Sequence, residues 1–295
     1  MKKWYHDYGL QARMLLTMFL LAVVYLFFLA VLAIYGDIGT SGLVIFAGIF
    51  LLIQFFLSDK LVLWTMGGRI VTEQEEPRLH ETVSRLCAIA DLPKPRIAIV
   101  DSNVPNAFAT GKSKGSAVVA VTTSLKQKLS QPELEAVLAH ELSHVKNRDM
   151  LVITIASFLS TVAALLVRNM LFFGTGNRDD RRGAGAAVII FIVSIAVWIL
   201  SFLLIRALSR YREFAADRGS AIITGQPSHL VSALMTISGT MERVPSHDLR
   251  EVEAMNAFFI IPAVSGESIM NLLSTHPSLE ARIRALSKME QRMEF

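Results

Sequence analysis

Cysteine is nearly absent. Cys87 stands alone in 295 residues, which excludes an intrachain disulfide and any zinc cluster built on thiolates. Charge is scarce as well: Asp, Glu, Lys and Arg make up 18% of the chain against 53% hydrophobic residues, and the mean hydropathy is +0.47. An ordinary soluble domain carries more charge and fewer apolar residues. The net charge of +4 comes without a basic stripe interleaved with aromatics, so nucleic acid is not an expected partner. No internal repeat or low-complexity tract is present. These absences point to a membrane protein with a soluble part, in which any metal must be held by His and carboxylate.

What the chain has in abundance is long apolar runs. Residues 14–35, 38–57, 151–173 and 184–205 are each close to the roughly 20 residues a helix needs to cross a bilayer, and none contains His, Asp or Glu. The first is too long for a signal peptide and is followed at once by the second, so it reads as an anchor. Lys2, Lys3 and Arg13 precede it, while the connection at Gly36 and Asp37 has no positive charge. The N-terminus and residues 58–150 are therefore expected on the cytoplasmic side. Arg168, Arg178, Arg181 and Arg182 around the third connection are balanced by Arg206, Arg210, Arg212 and Arg218 beyond the fourth run. Four crossings are expected; the alternative is a re-entrant hairpin formed by runs three and four.

Between runs two and three lies a soluble block. Leu79, Val83 and Leu86 recur at helical spacing after Pro77. "PRIAIVDS" and "SAVVAVTTS" are β-branched and bounded by turn residues, as strands are, and "NAFATGKSKGS" between them reads as a short strand with a Gly-rich hairpin turn. "SQPELEAVLAHELSH" then opens a helix, with Ser130 and Glu133 at capping-box spacing and Pro132 tolerated in the first turn. Residues 206–295 read as helical, with breaks near Gly225–Pro227, Pro245, Pro262 and His276–Pro277.

The helix of "HELSH" carries chemistry. His140 and His144, four apart, lie one above the other on one face, so their imidazoles can converge on one zinc ion. Glu141 is placed to take a proton from the water that the metal activates. A catalytic zinc site has three protein ligands and an open position, so a third ligand is required. His6 precedes the first run, His80 borders a helix suited to packing, and His229 and His247 sit beside turns; His276 is the reserve candidate. "YREFAADRGS" offers Glu213 and Asp217, again four apart on one helical face. Ala215 and Ala216, like Ala139 and Ser143 on the histidine helix, would let the two helices pack closely. Glu213 then serves as third ligand and Asp217 as a carboxylate that orients a liganding imidazole; the competing reading is an exposed face paired with Arg210, Arg212 and Arg218. Chain order favours the metal site, because a hairpin returns residue 213 to the side holding residue 140. His144 is seven residues from Leu151, roughly 10 Å along a helix, so the metal is expected near the bilayer surface and within reach of water.

"HELSH", "REFAAD" after a further apolar run, "NAFATG" upstream and "THPSLEARI" near the C-terminus, in this order over most of the chain, resemble the HtpX family of membrane-embedded zinc metalloproteases. The resemblance implies an α-helical membrane protein with four transmembrane helices and a mostly helical, zincin-like cytoplasmic metalloprotease domain containing a small β-sheet. Residues 1–57 would be the membrane anchor and 58–295 the protease domain, interrupted by a transmembrane hairpin. It implies one zinc per chain on His140, His144 and Glu213, Glu141 as general base, and Asp217 behind the ligands. By the same resemblance Asn106 lies on an edge strand that pairs with substrate backbone, while His276 and Arg282 approach the substrate carbonyl or nearby peptide. The implied substrates are unfolded polypeptides and misfolded or surplus membrane proteins, cut on the cytoplasmic side of the cell membrane as quality control under stress. Two other readings stand beside it: a prenyl-protein endopeptidase, which has more spans than this chain supplies, and a membrane metal transporter, whose ligands would lie inside the spans. A second "NAF" at Asn256–Phe258 lacks the trailing "ATG" and reads as coincidence within a helical segment.

Overall fold

The first apolar run forms one long helix, α1 (Tyr8–Tyr35). The computed structural model describes residues 8–35, 49, 63–111, 113–173, 181–241 and 276–293. The second apolar run, except Ile49, lies outside the described residues, as do most of the third connection, the breaks at Pro245 and Pro262, and Asn256–Phe258. After α1 come β1 (Gly68–Ile70), α2 (Pro77–Ala90), β2 (Arg96–Val100), β3 (Ala107–Thr110), a 3-10 turn (Lys114–Ser116), β4 (Val118–Thr122), α3 (Thr123–Lys128), α4 (Gln131–Asn147), α5 (Asp149–Phe173), α6 (Arg181–Thr224), α7 (Pro227–Met241) and α8 (Leu279–Met293).

The chain groups into two compact units. One takes residues 8–57 and 152–208. Its helical segments are apolar all round, the pattern of helices in lipid rather than on a globular surface. Phe28 and Leu32 pack with Phe158, Val162, Ala163, Ile190 and Val197, and Leu21 packs with Ala156 and Leu208. The Tyr25 hydroxyl donates to the Ala156 carbonyl. Leu15, Phe19, Leu26, Ile192 and Leu200 face outward. Among the described residues three helices are long and apolar enough to cross a membrane, Tyr8–Tyr35, Asp149–Arg168 and Gly185–Thr224, with mean hydropathies of 2.8, 2.4 and 3.1 over their most apolar windows.

The other unit holds residues 58–151 and 209–295. Its mixed sheet has the order β1-β2-β4-β3, with β2 and β4 parallel and both outer pairs antiparallel. Both faces are covered, which explains the near-continuous apolar reading of β2 and β4. Ile97, Val119, Val121, Ala107 and Ala109 pack into the core shared with α2, α4 and α7, whereas Ala98, Val100, Phe108, Val118 and Ala120 meet Leu63 and Met66. The "SAVVAVTTS" strand stops earlier than its composition suggests, because the Thr122 hydroxyl accepts from the Leu125 amide and starts α3. Strand β1, three residues long, has no signature in sequence. The capping box at Ser130 and Glu133 forms, and so does the burial of Leu79, Val83 and Leu86 on α2.

Candidate metal centre

Helix α4 is buried along most of its length, with Val137, Leu138, Ala139 and Leu142 in the core. Its remaining face carries His140, Glu141 and His144. Helix α6 crosses that face at short range. A Cβ at Gly219 would stand 2.2 Å from the Ser143 hydroxyl and 2.6 Å from its Cβ, and the Ser220 hydroxyl donates to the Ala136 carbonyl at 2.6 Å. The close approach expected of Ala215 and Ala216 is therefore centred one turn later. It brings Glu213 and Asp217, both buried, against the histidines.

Among the described residues, His140, His144 and Glu213 form a group whose ligand atoms lie within 4.8 Å of one another. The two Nε2 atoms are 3.1 Å apart. His144 Nε2 lies 3.4 Å from Glu213 Oε1, and His140 Nε2 lies 3.6 Å from Oε2. Two ligands about 2.1 Å from a tetrahedral zinc stand roughly 3.4 Å from each other, so the two Nε2 atoms and the nearer oxygen facing each of them have separations close to what one ion requires. The charge balance agrees. With neutral imidazoles, the buried Glu141, Asp149, Glu213 and Asp217 oppose only Arg212 and Arg282, leaving a formal charge of −2 that one divalent cation neutralises. The residues present fit a zinc ion.

Each imidazole is held from behind. His140 Nδ1 is 3.0 Å from Asp217 Oδ1, and Asp217 accepts from Arg282 Nε at 2.9 Å and Nη2 at 2.5 Å. His144 Nδ1 is 2.6 Å from Asp149 Oδ2, and Asp149 Oδ1 pairs with Arg212. A neutral imidazole with its proton on Nδ1, facing the carboxylate, would present Nε2 bare toward the other ligands. Burial pushes the His140 imidazole down, but the Asp217 and Glu213 carboxylates outweigh it and raise the group to about 9. At His144 burial prevails, helped by the neighbouring charge of His140, and the imidazole is lowered. Burial raises the Glu141 carboxyl against the pull of the two imidazoles and of the Ala109 amide, moving it toward the range a general base needs.

Asn106 is fully buried one residue before β3; its carbonyl accepts from the Thr122 amide and its amide donates to the Thr122 hydroxyl. In an antiparallel ladder hydrogen-bonded pairs alternate, so Phe108 and Thr110 also face β4 while Ala107 and Ala109 turn their backbone groups away from it. These alanines, rather than Asn106, carry the outward edge. His276 Nδ1 lies 3.2 Å from Glu213 Oε2, and Arg282 Nη1 3.6 Å from the same oxygen. Arg282 is 1% exposed; it forks onto Asp217, behind the ligands. His80 is buried, with Nε2 3.1 Å from the Val71 carbonyl, a packing role. Asp149 and Arg212 are the members that sequence reading missed. The competing reading put Arg212 on an exposed face; it is 5% exposed.

Residues 73–290 match the peptidase family M48. The chain is 64% identical over 292 residues to "Protease HtpX homolog 2" of Methanosarcina acetivorans, covering 99% of each chain. It is 57% identical over 290 residues to "Protease HtpX homolog" of Moorella thermoacetica, covering 98% of this chain and 97% of that one. Among solved structures, Ste24p of S. mikatae matches with a TM-score of 0.53 at 17% identity over 95% of this chain, a likeness of fold. The chain spans 66% of the length of Ste24p.

Proposed function

The chain belongs to peptidase family M48 and, within it, to the HtpX proteases, and from that premise we propose that it is a membrane-bound zinc endopeptidase centred on His140, His144 and Glu213. The observation that carries the proposal is the convergence of two Nε2 atoms, 3.1 Å apart, on the Glu213 carboxylate, whose oxygens lie 3.4 Å from His144 and 3.6 Å from His140. Zinc held there supplies Lewis acidity toward a peptide carbonyl and acidifies water near neutral pH. Glu141 takes the proton of the attacking water and passes it to the departing amine. Asp217 orients His140, Arg282 holds Asp217, and His276 stands beside Oε2 of Glu213.

Substrate lies as an extended chain along β3, hydrogen-bonding to the outward backbone groups of Ala107 and to the Ala109 carbonyl. The Ala109 amide also pulls on Glu141, so the strand and the base serve the same space. Recognition through backbone groups carries little side-chain information, which suits unfolded polypeptides and flexible loops of membrane proteins. With residues 38–57 as a further span, four helices cross the cell membrane and the protease unit, zincin-like in its paired histidine helix and edge strand, faces the cytoplasm. The protein then acts in quality control under stress.

Glu141→Gln tests the chemistry. The variant keeps one zinc per chain, while cleavage of a denatured protein falls at least 10²- to 10⁴-fold. Retention of near wild-type cleavage excludes Glu141 as the base. Glu213→Ala loses the metal; if it does not and His276→Ala does, His276 is the third ligand.

A further inference from the structure

The structure assigns Asp149 and Arg212 as a positioning pair for the metal centre: Asp149 fixes the tautomer and ring plane of His144, and Arg212 locks Asp149 in place. The assignment rests on the zinc reading of His140, His144 and Glu213 and adds a component outside the "HELSH" and "REFAAD" carboxylates already placed there.

Three observations converge. Asp149 Oδ2 lies 2.6 Å from His144 Nδ1, the length of a charge-assisted hydrogen bond. Donation of the Nδ1 proton to this carboxylate directs the Nε2 lone pair at Glu213 Oε1 and His140 Nε2. Asp149 is 6% exposed, and a buried carboxylate persists only with a counter-charge. Arg212 supplies it from a different element: Nη2 pairs with Asp149 Oδ1 and also donates to the Asn147 carbonyl at 3.0 Å. That carbonyl belongs to the last residue of α4, where helical carbonyls lack intrahelical partners. One guanidinium therefore grips the end of the histidine helix and the first residue of α5 together. Arg212 is the immediate neighbour of the ligand Glu213, so the same backbone that presents the carboxylate ligand also anchors the orienter of His144. Asp149 and His144 further line a cleft with Ala109, Gly111 and Met150, so the imidazole is not closed in by packing on that side. A tether is needed there most.

Removing a carboxylate behind a zinc-bound histidine typically costs 10- to 100-fold in metal affinity. The full-length chain in detergent is titrated with zinc against a competing chelator, and its cobalt-substituted form is examined by absorption spectroscopy. Asp149→Ala is expected to weaken zinc 10- to 100-fold. Asp149→Asn decides the matter if the alanine variant does not fold: it is isosteric and can accept from His144, but its NH2 meets the donors of Arg212. A loss of about 3- to 10-fold is expected there, with an altered cobalt ligand-field band. Arg212→Lys, which keeps the charge and loses the fork, should fall between wild type and Asp149→Asn. Wild-type zinc affinity and a wild-type cobalt spectrum in Asp149→Asn overturn the assignment. His144→Ala separates this failure from that of the underlying reading: if it binds zinc like wild type, the metal centre itself is wrong, whatever Asp149 does.

Discussion

The two halves of the metal centre are built on one plan from different materials. On one side His140 leans on Asp217 and Asp217 on Arg282; on the other, His144 leans on Asp149 and Asp149 on Arg212. The first half is closed: Asp217 is 0% and Arg282 1% exposed, and three separate elements, α4, α6 and α8, meet in it. The second lies beside the cleft and draws only on α6 and the α4–α5 junction. The closed half trades solvent access for rigidity, because a charge pair in a dry environment tolerates no missing partner. The open half keeps one imidazole where substrate must arrive, and so needs an anchor outside the ligand set.

Breaking the closed half should have the largest effect. Arg282→Ala leaves Asp217 buried without its counter-charge, a loss of about 3–5 kcal/mol where one partner of a buried pair is removed. Arg212→Ala should cost less, since water entering the cleft can solvate Asp149. Thermal unfolding of both zinc-free variants in detergent checks the order, and a larger drop for Arg212→Ala refutes the contrast. Gly219→Ala strains both halves at once. Its Cβ would collide with Ser143, and overpacking of this kind costs about 1–3 kcal/mol. Ser143→Ala in the same chain removes the hydroxyl but not the 2.6 Å Cβ contact, so calorimetry should show partial rescue only. The smallest effect lies outside both halves. Burial raises the Cys87 thiol to about 11 against the pull of Lys94, so its alkylation at pH 8 should be at least about tenfold slower than in the denatured chain. Stripping the metal should leave that rate unchanged if loosening stays with the ligand helices; acceleration would show that the site supports the whole unit.

The two histidines with Glu213 and Asp217 were legible in the sequence, and Asp149 with the two arginines behind the imidazoles was not, for a physical reason. His140 with His144, and Glu213 with Asp217, are pairs within one helix, where a spacing of four fixes a shared face. The capping box at Ser130 is likewise local, and so is the Leu79–Val83–Leu86 stripe of α2. Asp149 stands five residues from His144 across a helix break, a separation that carries no facial information. Arg212 looked like one of several arginines on a wet surface, and only the carbonyl of Asn147 and the carboxylate of Asp149 show why it is buried. The sheet divides the same way. Its β-branched strands were readable, whereas the parallel pairing of β2 with β4, and β1 at the far edge, depend on contacts between distant segments.

Arg148 joins α4 to α5 by itself. It adopts φ 57° and ψ 40°, with its amide reaching back to the carbonyls of His144 and Val145. A left-handed turn at a residue other than glycine costs about 1–2 kcal/mol, yet this one ends α4 in a single step. The consequence concerns counting rather than chemistry. Glycine or asparagine could stand at 148 with little change, since either accepts the same dihedrals. One added residue could not, because it would displace the start of α5 and carry Asp149 off the imidazole it faces. At this junction the number of residues is the specification, and their identity is almost free.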